Sequence, residues 1–179
     1  MPEQASNWAY RVDWINNFIT NVSVFFTVVI TGVMIYYAWK YRKKNGKDHA
    51  TPSITHDTTL ETIWTVVPTI ICIFVFYYGF VVYKESRELP SNSREILVDA
   101  YTWGWNFTHP NGKKANMELV LPVGESARFI MKSRDVLHSF FIPAMRIKED
   151  VRPGAYSYVW FTPIKEGEFH IFCTEYCGT

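Results

Sequence analysis

Two long uncharged stretches fill most of the first half of the chain, and short segments rich in β-branched and aromatic residues follow in the second half. No charged residue occurs in residues 14–39 or in residues 62–83. Each stretch exceeds the roughly 20 apolar residues that a helix needs to cross about 30 Å of hydrocarbon. Each is also apolar on all sides, as lipid-facing or bundled helices are. The pattern therefore predicts a transmembrane hairpin over residues 18–84, with helices at about 18–40 and 62–84.

The segment that joins the two predicted helices is basic, with Lys40, Arg42, Lys43, Lys44 and Lys47. A short loop rich in lysine and arginine stays on the cytoplasmic side. Both helices meet this loop, so we expect residues 1–17 and the C-terminal domain to be extracytoplasmic. A signal peptide would carry its positive charge before the apolar run. Because the extramembrane part is fairly charged, we favour a bacterial inner membrane, with the domain periplasmic, over a mitochondrial one.

The second half, residues 91–179, is predicted to form an all-β domain. It contains short segments rich in β-branched and aromatic residues, separated by Pro-, Gly- and Asn-containing turns. Six or more strands within about 90 residues favour a Greek-key sandwich or barrel. The predicted strands are residues 95–101, 118–121, 127–132, 139–142, 156–161 and 168–173.

The charge balance and the cysteine count narrow the possible functions. The net charge is +1, so a broad nucleic-acid-binding face is not indicated. The chain has three cysteines, too few for a disulfide framework but enough for a metal site or a single disulfide.

Cys173 and Cys177 are four residues apart and are followed by a glycine. Two such thiolates can hold copper, zinc or an iron–sulfur cluster in a loop. A disulfide is an equally open interpretation in an oxidising compartment. A redox dithiol of thioredoxin type would require alternating helices and strands, which this half lacks. His138 begins a predicted strand; a lone histidine is more often structural, but an imidazole beside thiolates suits a copper electron-transfer site.

Five short motifs occur in order along the chain and together resemble subunit II of cytochrome c oxidases. Each is modestly specific, whereas five in register over nearly the whole chain are highly specific. The motifs are LETIWTVVP at residues 60–68, WGW at 103–105, DVLHS at 135–139, PG at 153–154 and CTEYCG at 173–178. The resemblance implies a cupredoxin-like Greek-key domain with a dinuclear copper centre, called CuA.

The resemblance also implies roles for individual residues. Cys173 and Cys177 match the two thiolates that bridge the copper ions, and His138 matches one terminal imidazole ligand. Glu175 matches a residue whose backbone carbonyl binds copper and whose carboxylate reaches a magnesium or manganese ion shared with subunit I. Trp103 matches the aromatic through which electrons arrive, the site of electron transfer from cytochrome c.

The remaining implications concern protons and partners. Glu61 matches a carboxylate at the mouth of a proton-uptake path on the cytoplasmic side. The implied function is to accept electrons from cytochrome c and pass them to the haem of subunit I, for oxygen reduction coupled to proton pumping. Haem and CuB would lie only in the partner subunit. The implied partners are subunit I, subunit III, membrane lipid and a soluble, tethered or fused cytochrome c.

The family motif continues with a histidine four residues after the second cysteine and a methionine seven after it. The chain ends at Thr179, so we expect these ligands to follow beyond it. One alternative is the copper-free subunit II of a quinol oxidase, which predicts loss of the cysteines and of His138. Another is a membrane-anchored copper-binding assembly protein, which predicts a single anchor and a βαβ domain.

The charge of the second half bears on how a donor docks. From Glu85 onward there are twelve acidic and eleven basic residues, and Lys113 and Lys114 follow Trp103 closely. A basic cytochrome would be steered by an acidic face. Our hypothesis is therefore that electrostatic steering of the donor is weak. His170, by strand alternation, is expected on the face opposite Cys173.

Overall fold

The computed structural model describes residues 2–43 and 56–179. These residues form two compact units. One contains residues 14–43 and 56–81, and the other contains residues 2–13 together with residues 82–179. Of the predicted basic loop, Lys44 and Lys47 lie outside the described residues.

Two long helices carry the uncharged stretches. Helix α1 is Ala9–Lys40 and helix α2 is Thr58–Arg87. The predicted spans, 18–40 and 62–84, lie inside them; the helices extend further because polar residues at their ends also take up helical geometry. Each helix is long and apolar enough to cross a membrane, and none of the residues in its most apolar window is buried within the chain. Such side chains are suited to lipid or to a partner helix rather than to water.

The other unit is an all-β domain built on two sheets, which confirms the predicted fold class. The first sheet has the order β3-β2-β1-β4-β7, with β1 and β4 parallel, and the second has the order β6-β5-β8. The strands are β1 (Arg94–Tyr101), β2 (Gly104–Thr108), β3 (Lys114–Asn116), β4 (Ala127–Ser133), β5 (His138–Ile142), β6 (Ile147–Val151), β7 (Ser157–Phe161) and β8 (Phe172–Cys173).

A core of aromatic and aliphatic side chains lies between the sheets. Ile96 and Val98 alternate inward along β1 and are buried. Phe129 on β4 packs against Phe140 on β5, with ring centroids 5.7 Å apart, and stacks on Phe161 of β7 at 5.2 Å. Because aromatic pairs of this kind bury large areas, they fix β5 relative to the first sheet.

Several predicted strands differ from those observed. Residues 118–121 do not form a strand: Leu119 and Leu121 pack against the core, but the segment pairs with no neighbouring strand in the described part of the chain. Of residues 168–173, only Phe172–Cys173 is a strand. Strands β2, β3 and β6 were not predicted. In β6, Ile147 and Val151 face inward around three charged residues, so the apolar signal is weak.

The N-terminal segment is part of the β domain. The Ala5 backbone N–H donates to the Ala144 carbonyl at 3.0 Å. The Ser6 hydroxyl donates to the Met145 carbonyl at 2.6 Å. The Trp8 indole N–H donates to the carbonyl of Trp160 at 3.0 Å. These bonds hold the chain that precedes the first apolar stretch on the same side as the C-terminal domain.

Candidate metal centre

The pairing of β5 with β8 brings together two of the predicted ligands. In this antiparallel pair Phe140 lies opposite Cys173. His138, two residues before Phe140, therefore projects from the same face as Cys173 and is its diagonal neighbour. The Thr174 backbone N–H donates to the Ser139 carbonyl at 3.2 Å, which continues the contact past the end of β8.

His138, Cys173 and Cys177 form one cluster, in which one ligand atom from each residue lies within 4.8 Å of the others. The two Sγ atoms are 3.9 Å apart, and the Cys173 Sγ is 3.9 Å from Nδ1 of His138. Both thiols are free. The Sγ–Sγ distance is well beyond the roughly 2.05 Å of a disulfide bond, so the two cysteines are separate thiols.

Asp135 fixes the ring of His138. Its Oδ1 lies 2.7 Å from Nε2 of His138, and the His138 side chain is only 2% exposed. The Trp105 and His138 rings pack in a T-shaped arrangement, with their centroids 6.0 Å apart. The hydrogen bond with His138 holds the pKa of the Asp135 carboxyl well below its usual range, so the carboxylate is ionised at neutral pH. A proton held on Nε2 leaves the Nδ1 lone pair directed at the sulfur atoms.

The two thiols differ electrostatically. Burial raises the pKa of the Cys173 thiol, but backbone hydrogen bonds at Ser139 and Glu175 and the contact with His138 outweigh it and lower that pKa overall. Burial and the neighbouring Cys173 both raise the pKa of the Cys177 thiol. Cys173 is therefore the first of the pair to become a thiolate, the form that binds metal.

Glu175 lies between the two cysteines on the same loop. Its backbone carbonyl oxygen is 3.5 Å from the Cys173 Sγ, and its side chain is exposed. The donor set is thus one imidazole nitrogen, two sulfur atoms and one backbone oxygen. Soft sulfur with imidazole suits copper, and an exposed carboxylate suits a hard cation such as Mg²⁺. The residues of the cluster therefore fit copper, the first of the two metals that the resemblance implied.

Trp103 lies beside this loop. The residue is 63% exposed, and its indole N–H donates to the Gly178 carbonyl at 3.4 Å. The hydroxyl of Thr102 donates to the carbonyl of Cys177 at 3.2 Å. An exposed aromatic side chain is thus hydrogen-bonded to the residue that follows a candidate metal ligand.

Two other predicted positions lie outside the cluster. Glu61 lies in the first turn of α2, in the helical unit, where its carboxylate pairs with Nδ1 of His56 at 2.8 Å. His170 is exposed and its ring lies 5.9 Å from that of Phe172, but it precedes β8, so the strand alternation from which its position was predicted does not extend to it. The sequence reasoning did not single out Asp135 or Thr102. Asp135 could have been found, because a metal-ligating histidine commonly donates its other ring N–H to a carboxylate and Asp135 is close to His138 in sequence.

Two family models match the chain almost end to end. Residues 1–82 match the transmembrane domain of cytochrome c oxidase subunit II, and residues 86–179 match its periplasmic domain. The chain belongs to the cytochrome c oxidase subunit II family. It is therefore a subunit of a haem–copper oxidase complex.

The relatives are subunits of bacterial oxidases. Cytochrome c oxidase subunit 2 of Cereibacter sphaeroides is 25% identical, over 97% of this chain and 70% of the relative. Subunit 2 of Alkalihalophilus pseudofirmus is 30% identical, over 94% of this chain and 52% of the relative. Among solved structures, the periplasmic domain of subunit II from Bradyrhizobium japonicum is 29% identical with a TM-score of 0.49, covering 51% of this chain and 79% of that one.

The family and the helices together define the location. Two membrane-spanning helices precede a domain that matches a periplasmic family model, and the relatives described above are bacterial. The chain is thus an inner-membrane protein with a periplasmic C-terminal domain, as predicted from its basic loop.

Proposed function

We propose that this subunit accepts electrons, one at a time, from reduced cytochrome c at a dinuclear copper centre. It then passes them to the haem of subunit I, where oxygen is reduced and protons are pumped. One observation carries the proposal: a buried imidazole nitrogen and two free thiols converge within 4.8 Å at the end of one sheet.

The donor set favours copper over the other soft metals. Thiolate sulfur with imidazole nitrogen is the ligand combination of copper electron-transfer sites. When held by His138, Cys173 and Cys177, copper would supply a one-electron carrier at this position. The chain contributes rigidity: His138 is held by Asp135, and Cys173 is held in register against β5.

The two rival functions find less support. A copper-free quinol oxidase subunit would lack the cysteines and His138, whereas all three are present and adjacent. A copper-binding assembly protein was expected to have one anchor and a βαβ domain. The described chain has two long apolar helices and an all-β domain.

We propose that Trp103 is the residue through which electrons arrive. Its indole is exposed to a docking partner on one side and hydrogen-bonded to the ligand loop on the other. The path from the indole to Cys177 would then run through the hydrogen bond to the Gly178 carbonyl and along the backbone from Gly178 to Cys177. The donor is a soluble, tethered or fused cytochrome c.

The remaining roles in the proposal concern groups shared with partners. The Glu175 carbonyl is assigned to copper and its carboxylate to a magnesium or manganese ion at the contact with subunit I. Glu61 is assigned to the mouth of a proton-uptake path. Subunits I and III are the proposed membrane partners, and haem and CuB belong to subunit I.

Electron paramagnetic resonance with copper quantification, on the purified oxidase complex, tests the proposal. We expect one unpaired electron shared over two copper ions on this subunit. The signal should be lost in Cys173→Ser and Cys177→Ser and kept in Cys72→Ser, which changes a free cysteine of α2. A complex whose subunit holds no copper, with Cys173 and Cys177 recovered as a disulfide, would leave it a structural subunit without the electron-accepting role.

A further inference from the structure

The Asp135 carboxylate bridges two parts of the domain that are far apart in sequence. Its Oδ1 accepts a hydrogen bond from Nε2 of His138 at 2.7 Å. Its Oδ2 accepts the backbone N–H of Thr102, also at 2.7 Å, across 33 residues of sequence. Thr102 directly precedes Trp103, so a single side chain contacts both a candidate ligand and the loop that presents the exposed indole.

Asp135 is itself held in place by its own turn. The Val136 backbone N–H donates to Oδ1 at 2.7 Å, and the Ser133 hydroxyl donates to the same oxygen at 3.3 Å. The carboxylate thus has three donors within three residues of it in sequence and one distant donor, the Thr102 backbone N–H. These donors reach both terminal atoms of the side chain, so both atoms must be acceptors. An ionised carboxylate has two acceptor oxygens, whereas an amide has one acceptor oxygen and one NH2 donor.

The loop that Asp135 holds is also tied to the ligand loop. Thr102 donates its hydroxyl to the Cys177 carbonyl, and Trp103 donates its indole N–H to the Gly178 carbonyl. Loss of the Asp135 contact would leave these two longer bonds, at 3.2 and 3.4 Å, to position the indole. The two parts of the site, ligand and electron-receiving aromatic, therefore share one anchor.

We infer that Asp135 is a positioning residue for electron transfer. One carboxylate oxygen selects the His138 tautomer that offers Nδ1 to the metal, and the other holds the Thr102–Trp103 loop against the ligand loop. This inference rests on the proposed function for its consequence. The shared anchor itself is a property of the polypeptide and can be tested without metal.

The test compares Asp135→Asn with Asp99→Asn in the oxidase complex. The Asp99 carboxylate forms an ion pair with Arg134, so its replacement removes one negative charge without touching His138 or Thr102. The first readout is hydrogen–deuterium exchange of a short peptide containing residue 102, after copper has been removed with a chelator. The second is the nitrogen hyperfine coupling of the oxidised copper signal, which reports the orientation of the His138 ring.

We expect Asp135→Asn to speed exchange at the Thr102 amide by about tenfold, the effect of losing a hydrogen bond to a charged acceptor. The hyperfine coupling should change in the same variant, with two copper ions retained. Asp99→Asn should resemble the unaltered protein in both readouts. Unchanged exchange in Asp135→Asn, or equal changes in both variants, would overturn the inference. If the unaltered complex lacks copper, the proposed function fails, while the exchange comparison still decides whether Asp135 anchors the loop.

Discussion

Asp13 and Arg146 form a two-point ion pair across 133 residues of sequence. Arg146 Nε donates to Oδ1 of Asp13 at 2.7 Å, and Nη2 donates to Oδ2 at 2.8 Å. Their side chains are only 11% and 8% exposed, respectively. The same guanidinium donates to the backbone carbonyls of Pro2 and Pro143. Arg146 thus holds the N-terminal segment to the β domain, and its planar fork is suited to such a task.

Replacing Arg146 with methionine should destabilise the domain, because it leaves the Asp13 carboxylate buried without its partner. Breaking a buried pair in this way costs about 3–5 kcal/mol. For a domain of this size, that corresponds to a fall of roughly ten degrees or more in unfolding temperature. The measurement is the temperature at which the subunit becomes protease-sensitive within the purified oxidase.

Arg152→Met is the control for this prediction, since Arg152 is exposed and lies just after β6. It should unfold within a degree or two of the unaltered protein. Equal unfolding temperatures for the Arg146 and Arg152 variants would show that the ion pair does not hold the segment.

His138→Ala should abolish the delocalised copper signal, because it removes the one imidazole nitrogen in the described ligand cluster. Copper content of the subunit should fall, and any remaining copper should give a localised signal. His170→Ala changes an exposed histidine that lies outside the cluster, and should retain both coppers. Equal copper loss in the two variants would exclude His138 as a specific ligand.

How far the site could be predicted depends on how much of it lies in short motifs. Cys173, Cys177 and His138 could be predicted as candidate ligands because they belong to recognisable motifs, and the β5–β8 register is consistent with their clustering. The hydrogen bonds between residues far apart in sequence could not be predicted in the same way. The bond from Thr102 to Asp135 joins the segments that follow β1 and β4, and no local pattern encodes the pairing of those two strands.

The fold shows the same division between local and non-local information. The uncharged stretches predicted both helices, since length and polarity alone define a membrane span. The prediction of a strand at residues 118–121 was wrong although Leu119 and Leu121 pack against the core, because inward packing does not require a strand partner. The docking of residues 2–13 onto the domain depends on contacts with Met145 and Trp160, more than a hundred residues away.

Cys173 should react with iodoacetamide before Cys177 in the copper-free complex. Its thiol has a pKa below the ordinary value, whereas the pKa of the Cys177 thiol is raised, so near neutral pH Cys173 has the larger thiolate fraction. Cys173 is also the more exposed of the two. We expect a several-fold difference in rate that narrows as the pH rises and both thiols ionise. Mass spectrometry of tryptic peptides after timed alkylation measures it. Faster labelling of Cys177 at neutral pH would contradict the assigned order of ionisation.

Trp103→Leu should slow the oxidation of reduced cytochrome c by tenfold or more, since it removes both the exposed aromatic ring and its hydrogen bond to Gly178. Trp103→Phe keeps an aromatic ring but loses the indole N–H, so its rate should lie between those of Trp103→Leu and the unaltered protein. Stopped-flow measurement with limiting donor reports the step directly. Tyr156→Leu, which removes another highly exposed aromatic, is the matched control and should leave the rate unchanged. A similar loss in both leucine variants would mean that exposed aromatic area, not Trp103 itself, determines the rate.

Turnover with a basic cytochrome c should depend only weakly on salt. One carboxylate close to the Trp103 loop, that of Asp99, is already paired with the guanidinium of Arg134. Such paired charges present little net field to a donor. Strong steering would fall steeply as the screening length shortens. We therefore expect the second-order rate to change by less than about threefold between roughly 20 and 200 mM salt. Arg134→Gln provides the contrast, because it releases Asp99 and should make the rate faster at low salt and more salt-sensitive. A steep decline in the unaltered complex would instead show that carboxylates elsewhere on the domain guide the donor.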